Sequence, residues 1–229
     1  VGEMIQADQV LSAKVLRLIN SAFFGFPGKI STVTHALVLL GFNAVKGLVL
    51  TASVFDIMAT EMLNLWKHSL GVSLASGIIS RRINLADAEE IIVAGLLHDI
   101  GKVALKVEGP EHFDDVMEKV NADQTLFIDA ENEVLGFNHT KVGEWLCEKW
   151  NLPPNLRDPI TMHHQPNLAR NAPEATAVVH MADILVRSLD FGNGGDTGIP
   201  VLNRDIVKLL NLSLSDIGEI LEAMEGELL

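Results

Sequence analysis

The 229-residue sequence predicts an all-α protein, and three observations lead there. Leu, Ala, Ile and Val recur at spacings of three and four, the period of a helix face. Few segments alternate apolar and polar residues as strands do, and tyrosine is absent. Helix-capping residues and Gly or Pro breaks separate the apolar runs.

The elements follow in order. Val10 to Ile19 carries Val10, Leu11, Val15, Leu16, Leu18 and Ile19 on one broad face. Phe23-Phe24-Gly25-Phe26-Pro27-Gly28 reads as an aromatic loop. Ser31 or Thr32 caps a helix that Gly41 ends, and Asn43 starts another running towards Met58. Leu63 to Ile83 places Trp66, Leu70, Leu74 and Ile78 on one face and includes His68. Asp87 with Glu90 resembles a capping box opening a central helix, Glu89 to Val107. Phe113–Val120 and Leu126–Leu135 are shorter helices, and Asn138 caps the helix of His139 and Trp145. Leu156 to His164 follows Pro153-Pro154. Asn171 with Glu174 suggests a second capping box, ahead of a helix holding His180 and Asp183. Phe191 to Asp196 reads as a flexible, disorder-prone loop, and two terminal helices cover Asp205–Leu210 and Leu214–Leu229.

Composition narrows the function. A hydrophobic content of 48% suffices for a full core. Seventeen basic against thirty acidic residues give a net charge of −13, which argues against wrapping nucleic acid or lying on an anionic membrane. No apolar run nears ~20 residues without a polar break, so no transmembrane helix is expected. Val1-Gly2-Glu3 does not open a signal peptide. The single Cys147 excludes an internal disulfide, reads as an ordinary packed thiol and suits the reducing cytoplasm.

The informative stretch is Gly95-Leu96-Leu97-His98-Asp99-Ile100-Gly101-Lys102. A His–Asp pair inside an apolar run is costly to bury unless something compensates it, and a metal ion does so. The plain alternative is a helix end, with Gly101 as the break and Lys102 complementing the last carbonyls. Seven of the eight histidines lie between His68 and His180. Singly they have ordinary readings: His68 half-buried, His112 solvated, His139 in a first turn, His163-His164 at a helix end, His180 bonded to Asp183. Together His68, His98, Asp99 and Asp183 supply metal donors from separate helices, as bundle metal sites do. His139 and His163 or His164 would add a second metal, with Asp99 as the bridge. Two such ions clamp a phosphate and activate water, and Lys102 would neutralise phosphate charge, giving Asp99 and Lys102 catalytic roles.

The order His68, His98-Asp99, Asp183 resembles the HD superfamily of metal-dependent phosphohydrolases, as do the run GLLHDIGK, Asn138-His139 with Gly143, and the pair His163-His164. Leu11 to Leu50, with Asn20-Ser21, Gly25, Ile30-Ser31, Ala36 and Leu40-Gly41, resembles the first half of the HDOD domain, the HD-related output domain of bacterial signalling proteins. Trp66-Lys67-His68-Ser69 and Trp150-Asn151-Leu152-Pro153 fit the same family. The resemblance implies an N-terminal helical subdomain (1–55) packed on an HD-type bundle (56–190), then a loop and C-terminal helices (191–229), all in one HDOD domain. It implies a bacterial cytoplasmic regulatory module holding one or two divalent ions (Fe, Mn, Ni or Zn). Its partner would be a signalling protein or a small phosphate ligand. The alternative is an active phosphohydrolase on a nucleotide or other phosphate ester. Gln165-Pro166-Asn167 follows the paired histidines where the HD-GYP branch has its GYP segment, which disfavours cyclic di-GMP hydrolysis. Asn64 stands where some of those enzymes place a Glu for a third metal.

Overall fold

The structure, a computed structural model, describes residues 9–20 and 30–228. Among these there are twelve α-helices, one short 3-10 turn and no strand. They are α1 (Gln9–Ile19), α2 (Val33–Glu61), α3 (Leu63–Arg82), α4 (Ala88–Leu97), α5 (Ile100–Glu108), α6 (Pro110–Asp123), α7 (Phe127–Leu135), α8 (His139–Lys149), α9 (Pro154–Met162), α10 (Pro173–Ser188), α11 (Arg204–Leu209) and α12 (Leu214–Leu228). The expected aromatic loop at Phe23–Gly28 lies outside the described residues.

At the N-terminal end, Asn20 ties the two sides of that loop together. Its side chain donates to the Ile30 carbonyl and accepts from the Ile30 N–H, each at 2.7 Å. Thr32 caps α2 as expected, accepting from the His35 N–H. Gly41, at φ 79° and ψ 168°, breaks the helix where the sequence placed a break, and no side chain but glycine takes that conformation readily. Val33–Val54 is, against the expectation from apolar run length, long and apolar enough to cross a membrane, with a hydropathy of 1.8. Its Leu40, Ala44, Val45 and Leu48 are buried in the protein core. Its polar residues tie it to the same body: Asn43 donates to Glu90, and Lys46 to the Asn151 carbonyl.

One core runs through the whole chain, from Val15 and Ile19 through Val72, Ile92, Leu97 and Val178 to Ile220 and Met224. Helix α3 packs against α4, α10 and α12, and α4 also meets α2 and α9. The three sequence segments therefore share a single apolar interior. A satellite cluster of Val116, Val120, Phe127 and Ala130 joins α6 to α7.

Three local expectations are corrected. The central helix is not continuous over Glu89–Val107: it breaks at His98-Asp99, where Asp99 leaves the helical region at φ −97° and ψ 15°. Asp87 does not form a capping box; it adopts φ 58° and makes no side-chain cap. Asn171 does not cap α10 either. The helix starts at Pro173 without a side-chain cap. Buried Asp158 of α9 instead fixes the turn just before it, accepting from the Asn171 and Ala172 N–H groups at 2.9 and 3.1 Å.

Candidate metal centre

The GLLHDIGK run places its His and Asp by means of two close helix contacts. A Cβ on Gly95 would stand 2.9 Å from the Val72 carbonyl oxygen, so glycine lets α4 lie tight on α3, which carries His68. A Cβ on Gly101 would stand 2.0 Å from the His139 carbonyl oxygen, so glycine lets α5 lie tight on α8. Gly101 is thus not the helix break of the plain alternative; it sits inside α5 and marks a contact. The turn between Gly95 and Gly101 projects His98 and Asp99 into the space those contacts create.

Two donor groups assemble there. His68, His98 and Asp183 form one; Asp99, His139, His163 and His164 form the other. Within each group the donor atoms lie within 4.8 Å of one another. Ligands sharing one ion at ~2.0–2.2 Å stand at most ~4.4 Å apart, so each group needs only a small contraction to close on a cation. Asp99 links them. Its Oδ1 lies 3.2 Å from His139 Nε2 and 3.7 Å from His163 Nε2, while Oδ2 lies 3.4 Å from His98 Nε2.

The imidazoles are held in the tautomer a cation needs. His98 Nδ1 lies 2.7 Å from the Gly95 carbonyl, and His163 Nδ1 3.0 Å from the Pro159 carbonyl. A carbonyl only accepts, so each Nδ1 carries the proton and each Nε2 offers its lone pair inward. His98 Nε2, His163 Nε2 and Asp99 Oδ1 are buried without hydrogen-bond partners. His68 Nε2 stands 3.0 Å from Asp183 Oδ1, yet neither ring nitrogen has a hydrogen bond. His139 Nε2 and His164 Nε2 face each other at 3.1 Å. Unpartnered buried polar atoms converging from four side chains, His68, His98, Asp99 and His163, are costly alone, and a divalent cation resolves them. The chemistry of the donors, imidazole with carboxylate, suits Zn, Fe, Mn or Ni.

Electrostatics reinforce this reading. Burial holds His139, His163 and His164 well below the usual imidazole range, so all three are neutral near pH 7. Burial also lowers His68, whereas Asp99 and Asp183 raise His98 despite its burial. Asp99 and Asp183 stay well below the normal carboxylate range although burial opposes it, Asp99 chiefly through Lys102 and Asp183 through Arg187. Both carboxylates are therefore charged.

All the residues expected from the sequence converge: His68, His98, Asp99, Asp183, His139, His163, His164 and Lys102. Lys102 is wholly buried and donates to Asp99 Oδ2 at 2.8 Å. His180 does not pair with Asp183; its Nδ1 donates to the His163 carbonyl at 2.7 Å and steadies that backbone. His68 is fully buried rather than half-buried, and His112 is exposed as expected.

The sequence reading missed three residues. Glu131 accepts from the His139 N–H at 3.0 Å and from its Nδ1 at 2.5 Å, fixing ring and tautomer as an outer-shell carboxylate does. Burial raises the Glu131 carboxyl to about 8 in the metal-free protein, and a cation on His139 Nε2 would draw the shared proton onto Nδ1 and leave Glu131 a carboxylate. Arg187 bonds Asp183 from one turn further along α10 and also holds Asp196. Asp196 belongs to the segment expected to be disordered. That segment instead packs onto the site: the Gly194 carbonyl accepts from Lys102, and Asp196 accepts from the Phe127 N–H. One signal was available for Glu131, a lone acid on the apolar face of α7 beside Phe127 and Ala130.

The fold and this donor set define an HD-type helical domain. The HDOD domain model matches residues 1–166, and the chain belongs to the HDOD family. A crystal structure of an HDOD domain protein of unknown function from Geobacter sulfurreducens is 26% identical and covers 98% of this chain and 84% of its own, with a TM-score of 0.68. A proposed phosphohydrolase from Shewanella amazonensis is 25% identical, covers 99% and 81%, and has a TM-score of 0.70. An uncharacterised protein of Treponema pallidum is 22% identical over 215 residues, 91% of this chain. Ribonuclease Y of Mycoplasma mycoides is 30% identical over 125 residues, 55% of this chain. The chain spans 41% and 22% of the length of these two curated relatives.

Proposed function

We propose that this chain is a regulatory HDOD module of a cytoplasmic bacterial signalling protein, built around a pair of divalent ions that share Asp99. The carrying observation is the position of Asp99, whose two oxygens face imidazoles of the two separate donor groups. His68, His98 and Asp183 would hold one ion, and His139, His163 and His164 the other. Bound there, the pair would act as a Lewis-acid clamp on phosphate oxygens and lower the pKa of water. Glu131 and the Gly95 and Pro159 carbonyls orient the imidazoles, and Lys102 holds the bridging carboxylate charged. Every donor except His164 is sealed from solvent, which favours a binding and signalling role over rapid turnover. Its partner would be a signalling protein or a small phosphate ligand.

Hydrolysis of a phosphate ester is the second reading, favoured by the buried ammonium of Lys102 against the bridging carboxylate. Elemental analysis of purified protein tests the metal. Close to two equivalents of Fe, Mn, Ni or Zn are expected, and a metal-free protein indifferent to added ions contradicts the reading. Turnover of a nucleotide or phosphomonoester panel, abolished by Asp99→Ala, would move the conclusion to the enzyme.

A further inference from the structure

The segment after α10 occupies a place that a ligand would otherwise take. Gly194 sits among the charges of the centre: a Cβ there would meet Lys102 Nζ at 2.9 Å, Arg187 Nη2 at 3.1 Å and Asp99 Oδ2 at 3.3 Å. Its carbonyl oxygen accepts from Lys102 Nζ at 2.8 Å. Two residues on, Asp196 Oδ1 accepts from Arg187 Nη1 at 2.9 Å, and Asp196 Oδ2 accepts from the Phe127 N–H at 2.9 Å. The Gly198 carbonyl takes a further Arg187 bond at 3.0 Å. So the buried ammonium and the buried guanidinium beside the bridging carboxylate each already hold oxygens of this one segment. Beneath it only about 10 Å³ remains, bordered by Lys102, His164, Arg187 and Asp196, room for no more than one water.

We propose that Lys102 and Arg187 form an oxyanion seat for a phosphoryl group, and that residues 192–198 are a displaceable plug filling it. Three oxygens from one loop, two carbonyl and one carboxylate, stand where the oxygens of a phosphoryl group would meet one ammonium and one guanidinium. Glycine at 194 suits the fit, since a side chain there would displace Lys102 Nζ and crowd Arg187 and Asp99. The plug is held by hydrogen bonds to α3, α5, α10 and the start of α7, and has no helix of its own. An arriving phosphoryl group replaces those acceptors one for one, so the exchange leaves neither cation unpaired. This deepens the metal reading above, because a phosphoryl group seated here would lie against the ions bridged by Asp99.

The test uses inorganic phosphate with protein of measured metal content. Hydrogen exchange of the amides in 192–198 is followed with and without phosphate, alongside phosphate affinity of wild type and Asp196→Asn. Asn preserves the shape of the Phe127 contact and removes the charge competing for Arg187. The expected results are faster exchange confined to this segment on phosphate addition, and at least tenfold tighter phosphate binding by Asp196→Asn. Phosphate binding that leaves the segment's exchange unchanged, equal affinities, or no binding by metal-loaded protein overturns the plug while leaving the metal reading intact. A chain that takes up no metal defeats the metal reading instead, and the plug then stands or falls on the same exchange response in the metal-free protein. Should Asp196→Asn fail to fold, the wild-type exchange response decides.

Discussion

Asp99 Oδ1 lies 3.2 Å from His139 Nε2 because Gly101 has no side chain. The two residues are forty positions apart, Asp99 just before α5 and His139 at the start of α8, and the contact between α5 and α8 at Gly101 sets their separation. Gly101→Ala would place a methyl carbon 2.0 Å from the His139 carbonyl oxygen and force the helices apart. Overpacking of this kind costs about 1–3 kcal/mol. The variant should melt several degrees lower in chelator and retain one metal equivalent in place of two, as read by calorimetry and elemental analysis.

Glu131 should matter to the metal without touching it. Glu131→Gln keeps the size but offers one acceptor oxygen where two now receive the His139 N–H and Nδ1–H. Loss of an outer-shell partner of this type weakens metal affinity about 10–100-fold. Competition against a chromophoric chelator should show that loss for half the bound metal, the half nearer His139.

Acid should destabilise the metal-free protein across the range in which free imidazoles titrate. His68, His139, His163 and His164 have folded-state pKa values below the ordinary value of 6.5. Below pH ~6.5 the unfolded chain therefore binds protons that the folded chain does not, and stability falls as pH falls, by up to about 1.4 kcal/mol per pH unit for each such group. His98 and Glu131, whose pKa values are raised, work in the opposite direction over the same range but are outnumbered by the four lowered histidines. The net effect is a melting temperature in chelator that drops steadily from pH 7 to pH 5. Metal should flatten the curve by holding the neutral imidazoles.

Cys147 should be silent in the native state. It is buried, and burial pushes its thiol up to about 12. Labelling by a thiol reagent at pH 8 should be slow and should track global unfolding, becoming fast in denaturant.

How far the sequence could be read depended on the range of the interaction. Helices such as α1, α2 and α8 were legible because their apolar period and caps, Thr32 and Asn138 among them, are local signals. The candidate metal donors were legible because His and Asp in apolar runs are conspicuous, and the family resemblance suggested which belonged together. What was missed is non-local. Asp158 fixes the backbone thirteen and fourteen residues further on, at the turn before α10, and Glu131 supports a histidine in the next helix. The run from Phe191 to Asp196 has the composition of a flexible loop, yet its glycines serve close packing against Lys102, Phe127 and α3. Gly192 and Gly195 need glycine both for their positive φ and for these close approaches, and composition shows only the first kind of need.

The central claim is that one carboxylate, Asp99, joins two ions. Anomalous diffraction from crystals loaded with Mn would measure it directly. Two peaks about 3.5–4 Å apart, with Asp99 oxygens between them and His98 and His139 on opposite sides, are the expected result. A single peak that Asp99 does not touch, or no peak in fully loaded crystals, would contradict the account.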